Sequence, residues 1–394
     1  MKRILVEFFD EDNLDNCISL LCEDYDEAVY FCFPDDRDGR RGASFDAAAA
    51  FVRSRTGRVP RFIPVEGKTA GHIYEAINRH LPEGEDFYDF DITGGSELYI
   101  LAVGLAGGQR RCRNMSVHRY DVRTGRLVFS YPEKTVGRVR PLGTRELLSL
   151  FSSGISEGSG IADVSESAVL KYWEALKRIP HVWNRFAMQS QLFRDEDGRP
   201  AVLKRFSPGS DATDRVFAAL SAAGLAEKIV EKNIDGKQYR GFTIDPSGNA
   251  LGLYGKAGRL LELYTYYTAA ATGSFYGCAT GVELYRTGQT LPDLPGNEID
   301  AVMSAGTYPV FLSCKNTLIS NEALYEIKAL SRFYGGKYAQ PVIVSTVNES
   351  PGVEARAGAL GIVIIGGCAG MERDEFGEKL SAIRKFAEEN RESR

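Results

Sequence analysis

The sequence predicts an α/β protein built in three parts, and three observations carry that expectation. Strand-type apolar runs alternate with helix-type periodicity from Arg3 to Leu81, which is the rhythm of a parallel sheet covered on both faces. A polar break, Ser152-Ser153-Gly154-Ile155-Ser156-Glu157-Gly158-Ser159-Gly160, has the composition of a linker. Near the C-terminus two strand-type runs, Gly296–Met303 and Pro309–Asn316, flank the turn Gly306-Thr307-Tyr308-Pro309 and predict a hairpin.

Composition bounds the function. A chain of 394 residues fits two or three domains and can bury a large core. With 43% hydrophobic and 26% charged residues it has the make-up of an ordinary soluble globular protein. The formal net charge of -5 gives no global basic field, which argues against coating DNA but leaves room for a nuclease with a locally basic groove. Seven cysteines and four histidines are scattered without CxxC or HxxxH spacing, so zinc is not expected and a reduced cytoplasm is. No run of 18 apolar residues occurs, and neither export nor a membrane span is expected.

Taken in order, Arg3–Phe9 is a strand ending at Asp10-Glu11-Asp12-Asn13, a helix follows through Asn16–Leu21, and Ala28–Phe33 is a second strand. Phe45–Arg55 and Ala70–Leu81 read as helices around the strand Pro60–Val65, giving a doubly wound sheet of Rossmann type. The next strand, Phe87–Ile92, runs into Thr93-Gly94-Gly95-Ser96 and then a helix, Leu98–Ala106. Bare backbone N–H groups at a helix N-terminus suit phosphate, the glycines permit close approach, and Thr93 and Ser96 offer hydroxyls. A capped tight turn is the competing reading. The loop matches neither GxGxxG nor GxxxxGK[ST]. Val117–Phe129 reads as a hairpin closing this sheet.

After the polar break, Val164–Arg178 and Asp211–Lys228 are amphipathic helices, and Ile229–Phe242 is a hairpin turning on Asp235-Gly236. Helices followed by a β-wing resemble a winged helix. The expected role is a connector that passes state between the outer domains, with DNA reading as the alternative. Trp173 and Trp183 are expected in its core.

In the last part Glu262 lies on a helix opening at Gly258-Arg259-Leu260, and Gly281–Arg286 is a strand before the hairpin. Strand alternation pairs Glu298 with Asp300 on one face, and Ser313 with Lys315 on one face. Carboxylates beside a sheet lysine suit metal-assisted phosphodiester hydrolysis, although a structural ion pair uses the same residues. A helix Ser320–Tyr334, a strand Pro341–Thr346, a helix Gly352–Leu360 and a strand Gly361–Ile365 complete an α-β-β-β-α-β-α-β order.

That order, with Glu262, Asp300 and Ser313-Cys314-Lys315, resembles the PD-(D/E)xK restriction-endonuclease-like core. The strand-TGGS-helix element resembles the ligand loop of CARF domains, the CRISPR-associated Rossmann folds. With Asn297-Glu298-Ile299-Asp300 and Gly335-Gly336-Lys337, the whole is similar to CARF-nuclease fusions of type III CRISPR systems. The resemblance implies a CARF domain over 1–145, a connector over 146–245 and a nuclease domain over 246–394. It implies that Asp10, Asn13 and Asn16 face a cyclic oligoadenylate from one loop, and Thr93, Gly94, Gly95 and Ser96 from the other. The activator is expected to be cyclic tetra-adenylate, shared between the subunits of a cytoplasmic homodimer. Asp300, Lys315, Glu262 and Ser313 would be catalytic. Mg2+ or Mn2+ would rest on Asp300, the backbone carbonyl of Cys314, Glu262 or Glu283, and the substrate would be DNA, RNA or both. The alternative is a non-catalytic nucleotide sensor that binds DNA. Two positions depart from the family pattern: Glu97 stands where related loops often carry lysine, and Ser313 replaces the ExK acid.

Overall fold

The computed structural model describes residues 1–10, 12–37, 42–110, 113–121, 124–151, 153–206, 212–244, 250–286 and 297–389. The first domain comprises β1 (Arg3–Phe8), α1 (Asn13–Cys17), β2 (Glu27–Cys32), α2 (Pro34–Arg37), α3 (Gly42–Thr56), β3 (Arg61–Pro64), α4 (Ala70–His80), β4 (Phe87–Asp91), α5 (Glu97–Gln109), β5 (Met115–Asp121), β6 (Arg126–Tyr131) and β7 (Glu133–Arg138). Its seven strands lie in the order β3-β2-β1-β4-β5-β6-β7. The strands from β3 to β5 pair in parallel, and β6 and β7 add antiparallel edges. Alternation divides the core: Leu5 and Tyr30 pack with Leu14, Phe45 and Val52 on one face, while Val6 and Phe31 pack with Ile73, Ile77, Tyr99 and Val103 on the other. β1 is flanked by β2 and β4, so the chain reverses winding direction there. The carboxyl ends of β1 and β4 therefore frame the crevice where open α/β sheets bind ligands.

A buried charge network holds those two strands in register. Asp89 and Asp91 project from β4, and His118 from β5 lies between them with no exposure. His118 Nδ1 donates to Asp89 Oδ1 (3.1 Å) and Nε2 donates to Ser19 Oγ (2.8 Å), which in turn donates to Asp91. Burial opposes the imidazolium, but Asp91 and Asp89 outweigh it and raise the pKa to about 9. Burial likewise opposes the Asp89 carboxylate, yet His118, Ser116 and Arg3 hold its pKa well below the usual carboxylate range. Ser19, His118 and Asp89 follow the order of a catalytic triad, but all three are buried and the imidazole is already protonated, so it cannot serve as a base.

Next come α6 (Thr144–Leu150), β8 (Ser153–Ile155), α7 (Glu166–Leu176), α8 (Pro180–Gln189), β9 (Ser190–Arg194), β10 (Pro200–Arg205), α9 (Ala212–Ala222), β11 (Ala226–Ile234) and β12 (Lys237–Ile244). The hairpin expected as a wing is present as β11 and β12. It belongs to a four-stranded antiparallel sheet, β11-β12-β10-β9, rather than to a two-stranded wing. Trp173 and Trp183 are core: Trp173 stacks on Tyr264 at 4.3 Å between ring centroids, and Trp183 meets Tyr254 edge-on at 5.2 Å.

The last part contains α10 (Arg259–Ala271), β13 (Gly277–Arg286), β14 (Asn297–Ser304), β15 (Pro309–Lys315), α11 (Asn321–Gly335), β16 (Gln340–Ser345), α12 (Pro351–Ala359), β17 (Val363–Ile365) and α13 (Arg373–Glu389). Its sheet runs β17-β16-β15-β14-β13-β8. β8 comes from the polar segment read as a linker: Ile155 pairs with Leu284 and is buried with Val282 and Ile299. The chain thus lays an edge strand on the C-terminal sheet, builds the middle unit, and returns. Among the described residues no helix is long and apolar enough to cross a membrane.

The outer domains meet through the loop after β1. Asp15, almost fully buried, accepts from Lys337 Nζ (2.5 Å) and from the Tyr338 hydroxyl (2.7 Å), both in the turn between α11 and β16. Asp12 Oδ1 accepts from the Lys337 N–H (3.3 Å). Gly336, at φ +67°, allows the approach, because a Cβ there would stand 2.9 Å from the Phe151 ring. Burial pushes the Asp15 carboxyl up to about 6, and Lys337 limits the rise.

Two outcomes test these networks. His118 has a folded pKa above its unfolded value, so its contribution to stability is complete below about pH 6.5 and is lost as pH rises through about 9. Urea-denaturation stability should fall across that window by up to about 1.4 kcal/mol per pH unit, and in His118→Gln that decline should be absent. For the domain contact, a double-mutant cycle of Asp15→Asn and Lys337→Met should give a coupling energy of about 1–2 kcal/mol. Strict additivity in the same denaturation assay would mean that the pair is not formed in solution.

Candidate functional site

At the crevice the two expected loops touch. Asp10 Oδ2 accepts from the Gly95 N–H (2.9 Å), and Asp10 Oδ1 accepts from the Asp12 N–H (2.9 Å). The glycines serve this contact. A Cβ on Gly94 would stand 2.9 Å from Asp15 Cβ, and one on Gly95, which sits at φ +84°, would stand 2.9 Å from Phe8 Cβ. Asn16 brackets the loop by accepting from the Asp10 N–H (2.7 Å) and donating to the Asp10 carbonyl (2.9 Å) and to Asn13 Oδ1 (3.0 Å). Asn13 donates to the Ser44 carbonyl (2.8 Å).

Of the seven residues expected to face a ligand, Asn13 and Asn16 are buried and spent on the shape of their own loop. Asp10, Thr93, Gly94, Gly95 and Ser96 keep exposed surface along the crevice. Their hydroxyls are partly committed. Thr93 Oγ1 donates to Asp91 and accepts from the Tyr120 N–H (2.7 Å), and Ser96 Oγ caps α5 by accepting from the Leu98 N–H (3.2 Å). Glu97 is exposed in the first turn of α5. Beneath the loops Glu7 is fully buried, and neither carboxyl oxygen has a partner among the described residues. Burial, then Asp91, Asp15 and Asp10, push its pKa well up, which favours the neutral form under the crevice.

The second site lies where the β14–β15 ladder ends. The last paired residues are Ala301 and Leu312; beyond them the Asp300 carboxylate itself accepts the Cys314 N–H (2.5 Å). A hydrogen bond with Ser313 and the charge of Lys315 also favour the ionised form. Glu262 projects from the first turn of α10, and Arg259 Nη1 lies 3.4 Å from it while Arg259 Nη2 pairs with Asp163 (2.7 Å). Gly281, at φ +58°, makes room for this guanidinium, since a Cβ there would stand 2.7 Å from Arg259 Nη1.

The electrostatics are unbalanced. Burial, then Asp300, push Glu262 up to about 8 against the opposing Arg259. Burial also raises Asp300, with Glu298 adding to the rise and the Cys314 N–H and Lys315 resisting it. Carboxylates raised by burial and by one another's neighbours, Asp300 acting on Glu262 and Glu298 acting on Asp300, favour additional positive charge. Among the described residues no three His, Cys, Asp or Glu groups converge to hold a metal by themselves. Glu283 is exposed and pairs across the sheet with Glu298 rather than joining Asp300. The Cys314 side chain turns toward α10, with Sγ 3.7 Å from Thr265 Oγ1, and burial pushes its thiol well up, so only its backbone remains available. Glu262, Asp300 and the Ser313 hydroxyl are nevertheless hard oxygen donors, and they suit a divalent cation whose remaining ligands are water and backbone.

Sequence reasoning did not find Asp15, Asp91, Ser19, His118, Arg259 or Asp163. The DFD pattern of β4 was the one local signal, since it sets two acids on one face of a buried strand.

At the sequence level no family model matches the chain, and no curated protein does. Solved structures do. Protein VC1899 from Vibrio cholerae superposes with a TM-score of 0.72 at 16% identity over 98% of each chain. Can2 from Sulfobacillus thermosulfidooxidans, in complex with cyclic tetra-adenylate, gives 0.66 at 15% identity over 97% of this chain and 99% of that one. A type III CRISPR defence DNA nuclease activated by cyclic oligoadenylate gives 0.50 at 17% identity over 89% of this chain and 46% of that one. At these identities the likeness is one of fold, and across nearly its whole length this chain has the mixed α/β fold of Can2 and VC1899.

Proposed function

We propose that this chain is a cyclic-oligoadenylate-activated, divalent-metal-dependent endonuclease of type III CRISPR antiviral defence, acting on DNA, RNA or both, with cyclic tetra-adenylate as the activator. The observation that carries the reading is the pair of half-buried carboxylates, Glu262 and Asp300, both raised above the usual carboxylate range, at the point where the β14–β15 ladder opens beside Lys315. The Can2 structure contains cyclic tetra-adenylate, and its fold matches end to end. That supports placing the activator at the crevice between the β1 and β4 loops.

In this reading Glu262, Asp300 and Ser313 hold Mg2+ or Mn2+. Such a cation polarises a phosphoryl oxygen and makes a bound water acidic. Lys315 orients the attacking water or steadies charge on the phosphate. Ser313, a hydroxyl in place of an acid, makes the site dependent on millimolar cation. The assembly is a homodimer. Ile100, Leu101 and Leu105 are 47%, 57% and 50% exposed on α5, the helix that leaves the TGGS loop. A second copy covering this apolar face brings two crevices to one two-fold ligand.

Cleavage of plasmid DNA and of labelled RNA, each with and without cyclic tetra-adenylate, tests the activity. Asp300→Asn and Lys315→Ala should each slow ligand-stimulated cleavage by about 100-fold or more, with ligand affinity by calorimetry unchanged. Wild-type rates in both variants would hand the chain to the alternative, a sensor without catalysis. Assembly is read separately: Leu101→Glu should convert a dimer to a monomer by light scattering at micromolar protein, and a wild type that is monomeric with and without ligand removes the shared crevice.

A further inference from the structure

The middle sheet carries a lysine whose stem is buried and whose ammonium opens on a basic cleft. Lys204 sits on β10, the strand between β9 and β12, opposite Ser190 and Arg240, and is 7% exposed. Among the described residues its ammonium has neither an ion pair nor a hydrogen-bond acceptor. Burial lowers its pKa, and its charged neighbour, Arg185 on α8, lowers it further. Two cations held close together repel, and an anion bound between them relieves that repulsion.

The surroundings are built for an anion. Lys204 lines a cleft of about 440 Å³ together with Arg205 and the amide side chains of Gln189 and Gln191. Among the described residues no acidic side chain lines it. Helix α8 links the cleft to the element that carries Glu262. Asn184, next to Arg185 on α8, accepts the N–H of Gly258, and the Gly255 N–H donates to the Ala187 carbonyl (2.9 Å). Gly258 opens the helical turn that carries Glu262. One helix, α8, therefore carries the cation whose charge reaches Lys204 and braces the turn that aims Glu262.

We infer that Lys204, with Arg185 and Arg205, binds a backbone phosphate of a nucleic-acid strand. This rests on the nuclease reading for the identity of the strand, but not for the anion site itself. The ammonium and guanidinium groups contact phosphate oxygens without reading bases, so the contact is sequence-independent and sensitive to salt.

The test uses the full chain without divalent metal, so that binding is separated from cleavage. Fluorescent single-stranded DNA and RNA oligonucleotides are titrated at several salt concentrations against wild type, Lys204→Gln and Arg185→Gln. Lys204→Gln should weaken binding about tenfold at low salt. The slope of log K against log[salt] should become shallower by about 0.7, one phosphate contact on a single strand. The same variant should keep the melting temperature of wild type, which places the loss in binding and not in folding. Arg185→Gln, at an exposed position, should weaken binding in the same direction, and it keeps the test open if the Lys204 variant fails to fold.

Unchanged affinity and slope in both variants would overturn the inference, as would a wild type that binds neither oligonucleotide. Inorganic phosphate and cyclic tetra-adenylate form the control arms. If either raises the melting temperature of wild type but not of Lys204→Gln, while oligonucleotide affinity is indifferent to the variant, the cleft belongs to a small anion and the strand assignment falls. A wild type that binds strands through Lys204 yet never cleaves them would sink the nuclease reading and leave this site standing.

Discussion

Asp15 is the constraint on which the arrangement of the two outer domains depends. Its carboxylate is buried against Lys337 and Tyr338, while five residues earlier the same loop holds Asp10 against Gly95 and the next residue, Asn16, braces the backbone. The loop cannot shift at the crevice without loading the turn that precedes β16. β16 in turn pairs with β15 through Ser313↔Ile343 and Lys315↔Ser345, so that turn and the Asp300 site belong to one sheet. Coupling of this kind is reciprocal: whatever a ligand gains by moving the loop, a change at the turn returns to the ligand's affinity. A cavity of about 260 Å³ lined by Asp12, Asn13, Arg332 and Gly336 opens beside the contact, so the interface has room to rearrange.

Two pairs of acids show how surroundings decide what the same residue type can do. Asp89 and Asp91 are buried as deeply as any groups in the protein, but an imidazolium lies between them and Arg3 reaches Asp89 at 2.5 Å, so ionisation is favoured and the network is structural. Glu262 and Asp300 are half-buried, Arg259 is shared with Asp163, and Lys315 acts on Asp300. The first pair is complete without a ligand and the second is not. That incompleteness points to chemistry at the second pair, while the triad-like order around His118 amounts only to packing.

Much of this was legible in the residues because local rules were obeyed. The βαβ rhythm gave the doubly wound sheet, and Thr-Gly-Gly-Ser before a helix gave a capped turn whose Ser96 is indeed the N-cap. What stayed hidden depended on distance or on facing. Asn13 and Asn16 looked like ligand contacts because they are polar and close to a strand end, but their amides were needed to satisfy the loop's own backbone. Ile155 is a single apolar residue in a Gly/Ser-rich stretch, too little signal to announce an edge strand. β9 and β10 were missed because the Asp195–Gly198 turn interrupts runs with little apolar alternation. No local pattern could pair Asp15 with Lys337, which are 322 residues apart.

Ser313 follows the same logic of charge. Glu262 already takes up a proton near pH 8, and the Asp300 carboxyl is raised beside it. A third acid at position 313 would add another negative charge to a pocket that cannot balance two, and the metal-free protein would carry the cost as repulsion or as further proton uptake. A serine hydroxyl instead stabilises Asp300 by a hydrogen bond and remains neutral. The resulting site is easier to fold around, and under the proposed function it would hold a cation more weakly than a site with a third acid.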